Sequence, residues 1–130
     1  MEDKGSRKLM SDTMRLIIAD GNEAVRSSLA GLLAQLGGVE VVGQAASRSE
    51  LSHLLARQQA EIVLLDYGLA GAETGCLIRS LRAAGCKVLL LSLDQGGDAH
   101  RLSREAGANS LLAKASGVEG LLRALHELGC

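Results

Sequence analysis

Five short apolar blocks, separated by segments with helical spacing, constrain the fold of this 130-residue chain more than any other feature. None of the blocks alternates strictly between apolar and polar residues, which is typical of strands buried on both faces of a sheet. They therefore predict five parallel strands in the interior of an α/β domain. The blocks read RLIIAD, VEVVG, EIVLLD, KVLLLSL and NSLLAK.

The segments between the blocks carry apolar residues on one helical face, which predicts five amphipathic helices. The glycine pair Gly37–Gly38 is predicted to end the first helix. Capping boxes at Ser47–Glu50 and Ser116–Glu119 are predicted to begin the second and fifth helices. The faces are marked by Val25, Leu29, Leu32, Leu33 and Leu36; by Leu51, Leu54 and Leu55; by Leu77, Ile78 and Leu81; more weakly by Ala99, Leu102 and Ala106; and by Val118, Leu121, Leu122, Leu125 and Leu128.

A strand–helix unit repeated five times with short connections predicts a doubly wound α/β fold. Right-handed crossovers favour the flavodoxin-like strand order 2-1-3-4-5, with five helices covering a five-stranded parallel sheet. Residues 1–13 are polar and mixed in charge, so we expect a flexible tail there. Residues 14–130 are expected to form one domain.

Composition excludes several classes of function. The net charge of −1 offers no broad electrostatic attraction for nucleic acid. No apolar run approaches the roughly 20 residues of a membrane span, and no signal peptide is evident, so we expect a cytoplasmic protein. Tyr67 is the only aromatic residue, which excludes base-stacking platforms. The three cysteines and three histidines lack metal-ligand spacing.

Polar side chains follow four of the predicted strands at the point where each strand ends. Asp20 follows the first, Asp66 the third, Ser92 (with Asp94 close behind) the fourth, and Lys114 the fifth. In the predicted order these strands are neighbours, so the side chains should converge at one edge of the sheet. Each residue alone is more often a helix cap or a loop residue. Together they favour a site for phosphoryl chemistry, where carboxylates bind Mg²⁺ and one of them attacks phosphorus.

These residues resemble the receiver domain of two-component response regulators, and most of all receivers that precede helix-turn-helix DNA-binding domains. The resemblance runs from about Met14 to Leu128. The segments that carry it are RLIIADGNEAVRSSLAGLL, VEVVGQAAS, EIVLLDYGLAGAETG, VLLLS and AGANSLLAKAS.

The resemblance implies a role for each residue of the site. Asp66 would accept a phosphoryl group from a sensor histidine kinase or a small phosphodonor. Ser92 would bind the phosphoryl group, and Lys114 would pair with it. Mg²⁺ would be held by Asp20, by Asp66 and by the main-chain carbonyl of Gly68.

The sequence departs from the family at positions that concern the metal and the switch. The family usually has two adjacent acids after the first strand, and the second place here is Gly21. We therefore expect weakened Mg²⁺ binding and slow or absent phosphorylation. The bulk of Leu93, directly after Ser92, is expected to restrict access to the phosphoryl group. Further departures are Ala70, Thr74, Leu111 and Ala115.

Three functions remain open at this point. The first is a phosphorylated receiver that controls a partner or an output domain, with DNA contacted only through that output domain. The second is a pseudo-receiver that binds proteins without phosphorylation, which Gly21, Leu93 and Leu111 favour. An enzyme such as an aspartate-nucleophile phosphatase is disfavoured, because it would need an acid at Gly68.

Three arginines on the predicted fourth and fifth helices have two interpretations. Alone, each is best explained as solvated surface. Together they are compatible with a homodimer face across the fourth helix, the fifth strand and the fifth helix. The three are Arg101, Arg104 and Arg123.

Overall fold

The structure is a computed structural model that describes residues 13–93 and 97–129. The strands are β1 (Met14–Ala19), β2 (Val39–Ala45), β3 (Ile62–Asp66), β4 (Lys87–Ser92) and β5 (Ser110–Ala113). The α-helices are α1 (Glu23–Leu33), α2 (Arg48–Arg57), α3 (Thr74–Ala83), α4 (Gly97–Ala106) and α5 (Gly117–Glu127). Short 3-10 helices precede α3 and α5, at Gly71–Glu73 and Lys114–Ser116.

The strands form one parallel sheet in the order β2-β1-β3-β4-β5, which confirms the predicted topology. The register aligns the strand ends that carry the polar residues. Ala19 pairs with Leu65, so Asp20 and Asp66 both lie at the carboxyl edge of the sheet. Ser92 pairs with Ala113, and Lys114 follows directly. The sheet thereby brings four of the predicted site residues to one edge.

Two apolar layers, one on each face of the sheet, hold the domain together. The central strands β1, β3 and β4 supply side chains to both layers, as their lack of alternation predicts. Helices α2, α3 and α4 close one layer, and α1 and α5 close the other. Full burial of each Leu or Ile contributes about 1.5–3 kcal/mol, so these layers fix the strand ends firmly.

Two helix boundaries differ from the prediction. Helix α1 ends at Leu33 instead of the glycine pair Gly37–Gly38, because the amides of Gln35 and Leu36 bond to carbonyls three residues back and tighten the last turn. The capping box predicted at Ser116–Glu119 is wrong. Ser116 has helical dihedral angles, belongs to the preceding 3-10 turn and makes no side-chain cap.

The capping box predicted at Ser47–Glu50 is confirmed in a modified form. The hydroxyl of Ser47 accepts a hydrogen bond from the amide of Glu50 at 3.1 Å. The Glu50 carboxylate accepts from the amide of Ala46 at 2.7 Å, one residue before the position that a capping box requires. Helix α2 therefore begins where the sequence predicts.

Some predictions fall on residues outside the described ranges. These are the tail apart from Thr13, the position of Asp94, and Cys130. Within the described residues the histidines are exposed on helices, as expected, and Cys76 is exposed on α3. Burial raises the pKa of the Cys86 thiol above its ordinary value. No helix of the described chain is long and apolar enough to cross a membrane.

Candidate functional site

One lysine joins two carboxylates at the carboxyl edge of the sheet. The ammonium of Lys114 lies 2.7 Å from Oδ2 of Asp20 and 2.9 Å from Oδ1 of Asp66. Asp20 is only 2% exposed, whereas the Asp66 side chain keeps 20% of its surface. We call these three residues the acid site. Of the two acids, Asp66 is therefore the one that an external group can reach.

The turn after β1 holds Asp20 in place and gives the helix cap to a different residue. Oδ1 of Asp20 accepts a hydrogen bond from the amide of Asn22 at 2.8 Å, and Arg26 donates to the Asp20 carbonyl at 2.8 Å. The side chain of Asn22 caps α1 by accepting from the amide of Val25 at 3.1 Å. The carboxylate of Asp20 is thus available to contact Lys114, which excludes the alternative that Asp20 only caps a helix.

Ser92 and Gly68 flank the acid site on its neighbouring elements. Ser92 ends β4 and is 3% exposed. Gly68 is exposed in the loop after β3, and a Cβ at its position would lie 3.6 Å from Oδ2 of Asp66. The absence of a side chain at Gly68 therefore leaves the second oxygen of Asp66 approachable.

The electrostatics of the acid site favour a charged lysine. Burial alone would lower the pKa of Lys114, but hydrogen bonds and charge attraction from Asp20 and Asp66 outweigh it and raise the pKa above its ordinary value. The ammonium therefore stays charged at neutral pH. With two carboxylates and one ammonium, the acid site carries a formal charge of −1.

The predicted donor set for a cation consists of the carboxylates of Asp20 and Asp66 and the main-chain carbonyl of Gly68. This set fits a hard cation such as Mg²⁺, which usually retains several waters and takes one or two protein carboxylates. The third acid expected at Gly21 is missing, and the described residues contain no cluster of three or more His, Cys, Asp or Glu that could hold a metal ion. Lys114 also contacts oxygens on both acids.

Space for the missing acid is present. Gly21 is exposed, and a Cβ there would meet only the carbonyl of Ala46, at an ordinary distance of 3.7 Å. Its φ angle is not positive, so a side chain would bring no backbone strain. Nothing in the local fold therefore requires glycine at this position.

Thr74, the first residue of α3 and a departure from the family pattern, has a structural role. Thr74 is 1% exposed, and its hydroxyl lies 3.0 Å from the carbonyl of Tyr67 and 2.8 Å from that of Gly71. A buried hydroxyl with carbonyl partners ties the start of α3 to the residue next to Asp66. The sequence predicts only the apolar face of this helix, at Leu77, Ile78 and Leu81, so its start at Thr74 is not predicted.

An apolar groove lies between α1 and α5 on one side of the acid site. It has a volume of about 470 Å³, and its walls include Val25, Leu29, Leu93 and Val118. Leu93 is 82% exposed at this groove. Its expected effect on access to the phosphoryl group stays a prediction.

Comparison with known proteins gives one family. Residues 16–126 match the response regulator receiver domain family. Among curated proteins, the response regulator GacA of Pseudomonas protegens is 32% identical over 118 residues, which is 87% of this chain and 54% of that protein. This chain spans about half the length of the curated relatives it matches.

Solved structures give the same fold. A LuxR-family two-component response regulator from Aurantimonas sp. is 26% identical, with a TM-score of 0.80 over 89% of this chain and 84% of that chain. The isolated REC domain of RcsB from Salmonella enterica serovar Typhimurium is 21% identical, with a TM-score of 0.80 over 89% and 88% of the two chains. The second likeness concerns the fold alone.

Proposed function

This chain belongs to the response regulator receiver domain family, and we propose that it accepts a phosphoryl group on Asp66 in a Mg²⁺-dependent manner. The observation that carries the proposal is the placement of the Lys114 ammonium against the carboxylate of Asp66, at 2.9 Å. A cation beside a partly exposed carboxylate provides a nucleophile together with charge stabilisation for an incoming phosphoryl group. The proposed receiver domain comprises residues 14–130.

In the proposed reaction an Asp66 oxygen attacks phosphorus and the bond from phosphorus to the leaving group breaks. Oδ1 of Asp66 contacts Lys114, and Oδ2 faces the side-chain-free position of Gly68. Lys114 stabilises negative charge on the transferred phosphoryl oxygens, and the Ser92 hydroxyl, at the end of the adjacent strand, binds one of them. The protein supplies positioning and charge, as phosphoryl transfer requires.

Mg²⁺ would be held by Asp20, Asp66 and the Gly68 carbonyl. When bound, it neutralises charge on the phosphoryl oxygens. Because the acid site carries one carboxylate fewer than the family usually provides, its attraction for a divalent cation is reduced. We therefore propose weak Mg²⁺ binding and slow phosphorylation.

A pseudo-receiver is the second candidate, and one observation favours it. The Lys114 ammonium already satisfies both acids of the acid site, so the fold needs no cation there. In this version the domain binds partners without phosphorylation. Neither version is an enzyme of the aspartate-nucleophile phosphatase type, since Gly68 stands where that chemistry needs an acid.

The proposed partners follow from the family and from the curated relatives. A sensor histidine kinase would supply the phosphoryl group, and a transcriptional output domain, attached or separate, would receive the signal in the cytoplasm. Direct nucleic-acid contact by this domain is not part of the proposal. The face formed by α4, β5 and α5 is the proposed homodimer surface, where exposed Glu119, Arg123 and Glu127 provide charges of both signs on one stripe of α5.

Incubation with acetyl phosphate and Mg²⁺, followed by intact-mass measurement, tests the proposal. We expect a phosphate adduct on the parent protein and none on Asp66→Asn. Glu40→Gln, which removes an exposed acid from β2, is the matched control and should still be labelled. An adduct that persists on Asp66→Asn would contradict the assignment of the acceptor. No adduct on the parent would leave the pseudo-receiver as the function.

A further inference from the structure

A polar pocket opens beside Ser92, on the side of the acid site opposite the apolar groove. Its volume is about 420 Å³. Its polar walls come from Tyr67, Ser92, Asp98, Arg101 and Arg104, and we call it the arginine pocket. It contains the side chain of Tyr67, the only Phe, Trp or Tyr residue of the chain, and both arginines of α4.

The arginine pocket begins next to the proposed acceptor. Asp66 pairs with Leu91 across β3 and β4, and the amide of Tyr67 donates to the Leu91 carbonyl at 2.8 Å. Tyr67 and Ser92 are therefore the residues that directly follow this pair on the two strands. A molecule whose phosphorus lies against Asp66 has the arginine pocket as a direct neighbour.

The charge of the arginine pocket is positive. Arg101 forms a salt bridge with Asp98 at 2.7 Å, so these two charges offset one another. Arg104 forms no salt bridge with any residue in the described ranges, and it adds a full positive charge. The amino end of α4 lies at the same place and adds a partial positive charge. The described side chains that line the pocket therefore carry a formal charge of +1, which attracts small anions.

The two sides of the acid site thus differ in chemistry. The groove between α1 and α5 is mainly apolar, whereas the arginine pocket is lined by charged and hydrogen-bonding groups. Lys114 also lines the groove, but it is already paired with Asp20 and Asp66, so the additional stabilisation of an anionic leaving group lies on the side of α4. A phosphodonor that releases a neutral molecule gains no stabilisation of its leaving group from the arginines.

We infer that the arginine pocket receives the anionic leaving group of a small acyl phosphate, and that Arg101 and Arg104 make the domain prefer such donors. This inference rests on the proposed function. An Asp66 oxygen forms the bond to phosphorus, while the bond from phosphorus to the acyl oxygen breaks. The electron pair of that bond stays on the oxygen, so a carboxylate leaves. With phosphoramidate, which reacts as the zwitterion with three protons on nitrogen, the bond from phosphorus to nitrogen breaks instead; the electron pair stays on nitrogen, and neutral ammonia leaves.

The test compares the rates of Asp66 phosphorylation by acetyl phosphate and by phosphoramidate, measured by intact mass in the presence of Mg²⁺. The ratio of the two rates cancels effects on Mg²⁺ binding and on the acceptor. We expect Arg101→Gln/Arg104→Gln to lower this ratio at least fivefold, since each removed charge, if about 4 Å from the leaving group in water, has an effect of about this order. Arg101→Lys/Arg104→Lys keeps the charges and should retain most of the ratio.

Arg57→Gln is the matched control, because it removes an exposed arginine from α2, away from the arginine pocket, and should leave the ratio unchanged. Thermal unfolding of each variant checks that the fold is retained. Labelling by both donors with an unchanged ratio in the double glutamine variant would overturn the inference alone. Failure of both donors to label the parent would overturn the proposed function and this inference with it.

Discussion

Restoring the missing acid with Gly21→Asp is expected to tighten Mg²⁺ binding and accelerate phosphorylation of Asp66. The substitution is sterically permitted, because a Cβ at Gly21 meets only the Ala46 carbonyl at 3.7 Å and the backbone has no positive φ angle. It adds a carboxylate next to Asp20 and changes the formal charge of the acid site from −1 to −2.

The size of the effect follows from Coulomb's law. Gly21 is exposed, so a water-like dielectric constant applies at this position. Two unit charges 4 Å apart then interact by about 1 kcal/mol, and a divalent cation with one added carboxylate gains about 2 kcal/mol. This corresponds to a Kd for Mg²⁺ that is roughly 30-fold lower than that of the parent. In the absence of Mg²⁺ the added charge repels Asp20, so we expect a small loss of stability that Mg²⁺ reverses.

Titration calorimetry measures the Kd, and Tyr67 fluorescence offers a second readout, because the chain has no tryptophan and no other tyrosine. Gly21→Asn is the matched control, since it introduces a side chain of the same size without a charge. We expect Gly21→Asn to bind Mg²⁺ as the parent does. Equal Kd values for the aspartate and asparagine variants would refute the reasoning, and so would a parent that already binds as tightly as Gly21→Asp.

Two further predictions concern stability. Lys114→Met should lower the free energy of unfolding by about 2 kcal/mol at pH 7, because it leaves Asp20 and Asp66 without their cation. Folding raises the pKa of Lys114, so the difference in unfolding free energy between the parent and Lys114→Met should persist below the ordinary lysine value of 10.5. It should shrink as the pH rises above that value. Urea unfolding at several pH values checks both points. Asn22→Ala should cost about 1 kcal/mol by removing the cap of α1, and Asn22→Ser should retain most of it in the same assay.

The strand order and the convergence of polar side chains at the carboxyl edge of the sheet could be predicted, because each depends on a short-range signal. Apolar runs without alternation identify buried parallel strands, and the topology rules then fix which strand ends are neighbours. Asp20, Asp66 and Lys114 each stand at the carboxyl end of such a run. Their convergence therefore needs only the strand order, not the details of packing.

The helix boundaries and the contacts of the acid site could not be predicted in the same way. Whether α1 ends at Leu33 or at the glycine pair beyond it depends on a few competing hydrogen bonds of similar energy. Ser116 satisfies the pattern of a capping box, but the chain reaches it through a 3-10 turn that places it inside the helical region. The contact of one lysine with both acids depends on distances of a few ångströms, which only the folded structure specifies.

The acid site also explains how a receiver fold can persist when its cation site is incomplete. Oδ1 of Asp20 accepts from the Asn22 amide, and its other oxygen accepts from Lys114, which also serves Asp66. Among the described residues no buried side-chain nitrogen or oxygen lacks a hydrogen-bond partner. The buried polar groups of the acid site therefore need no divalent cation to satisfy their hydrogen bonds, and in the proposed function the cation acts only in the chemistry on Asp66. We therefore expect the absence of a second acid at Gly21 to weaken the proposed phosphorylation and to leave the fold intact, so fold and phosphorylation need separate experiments in this protein.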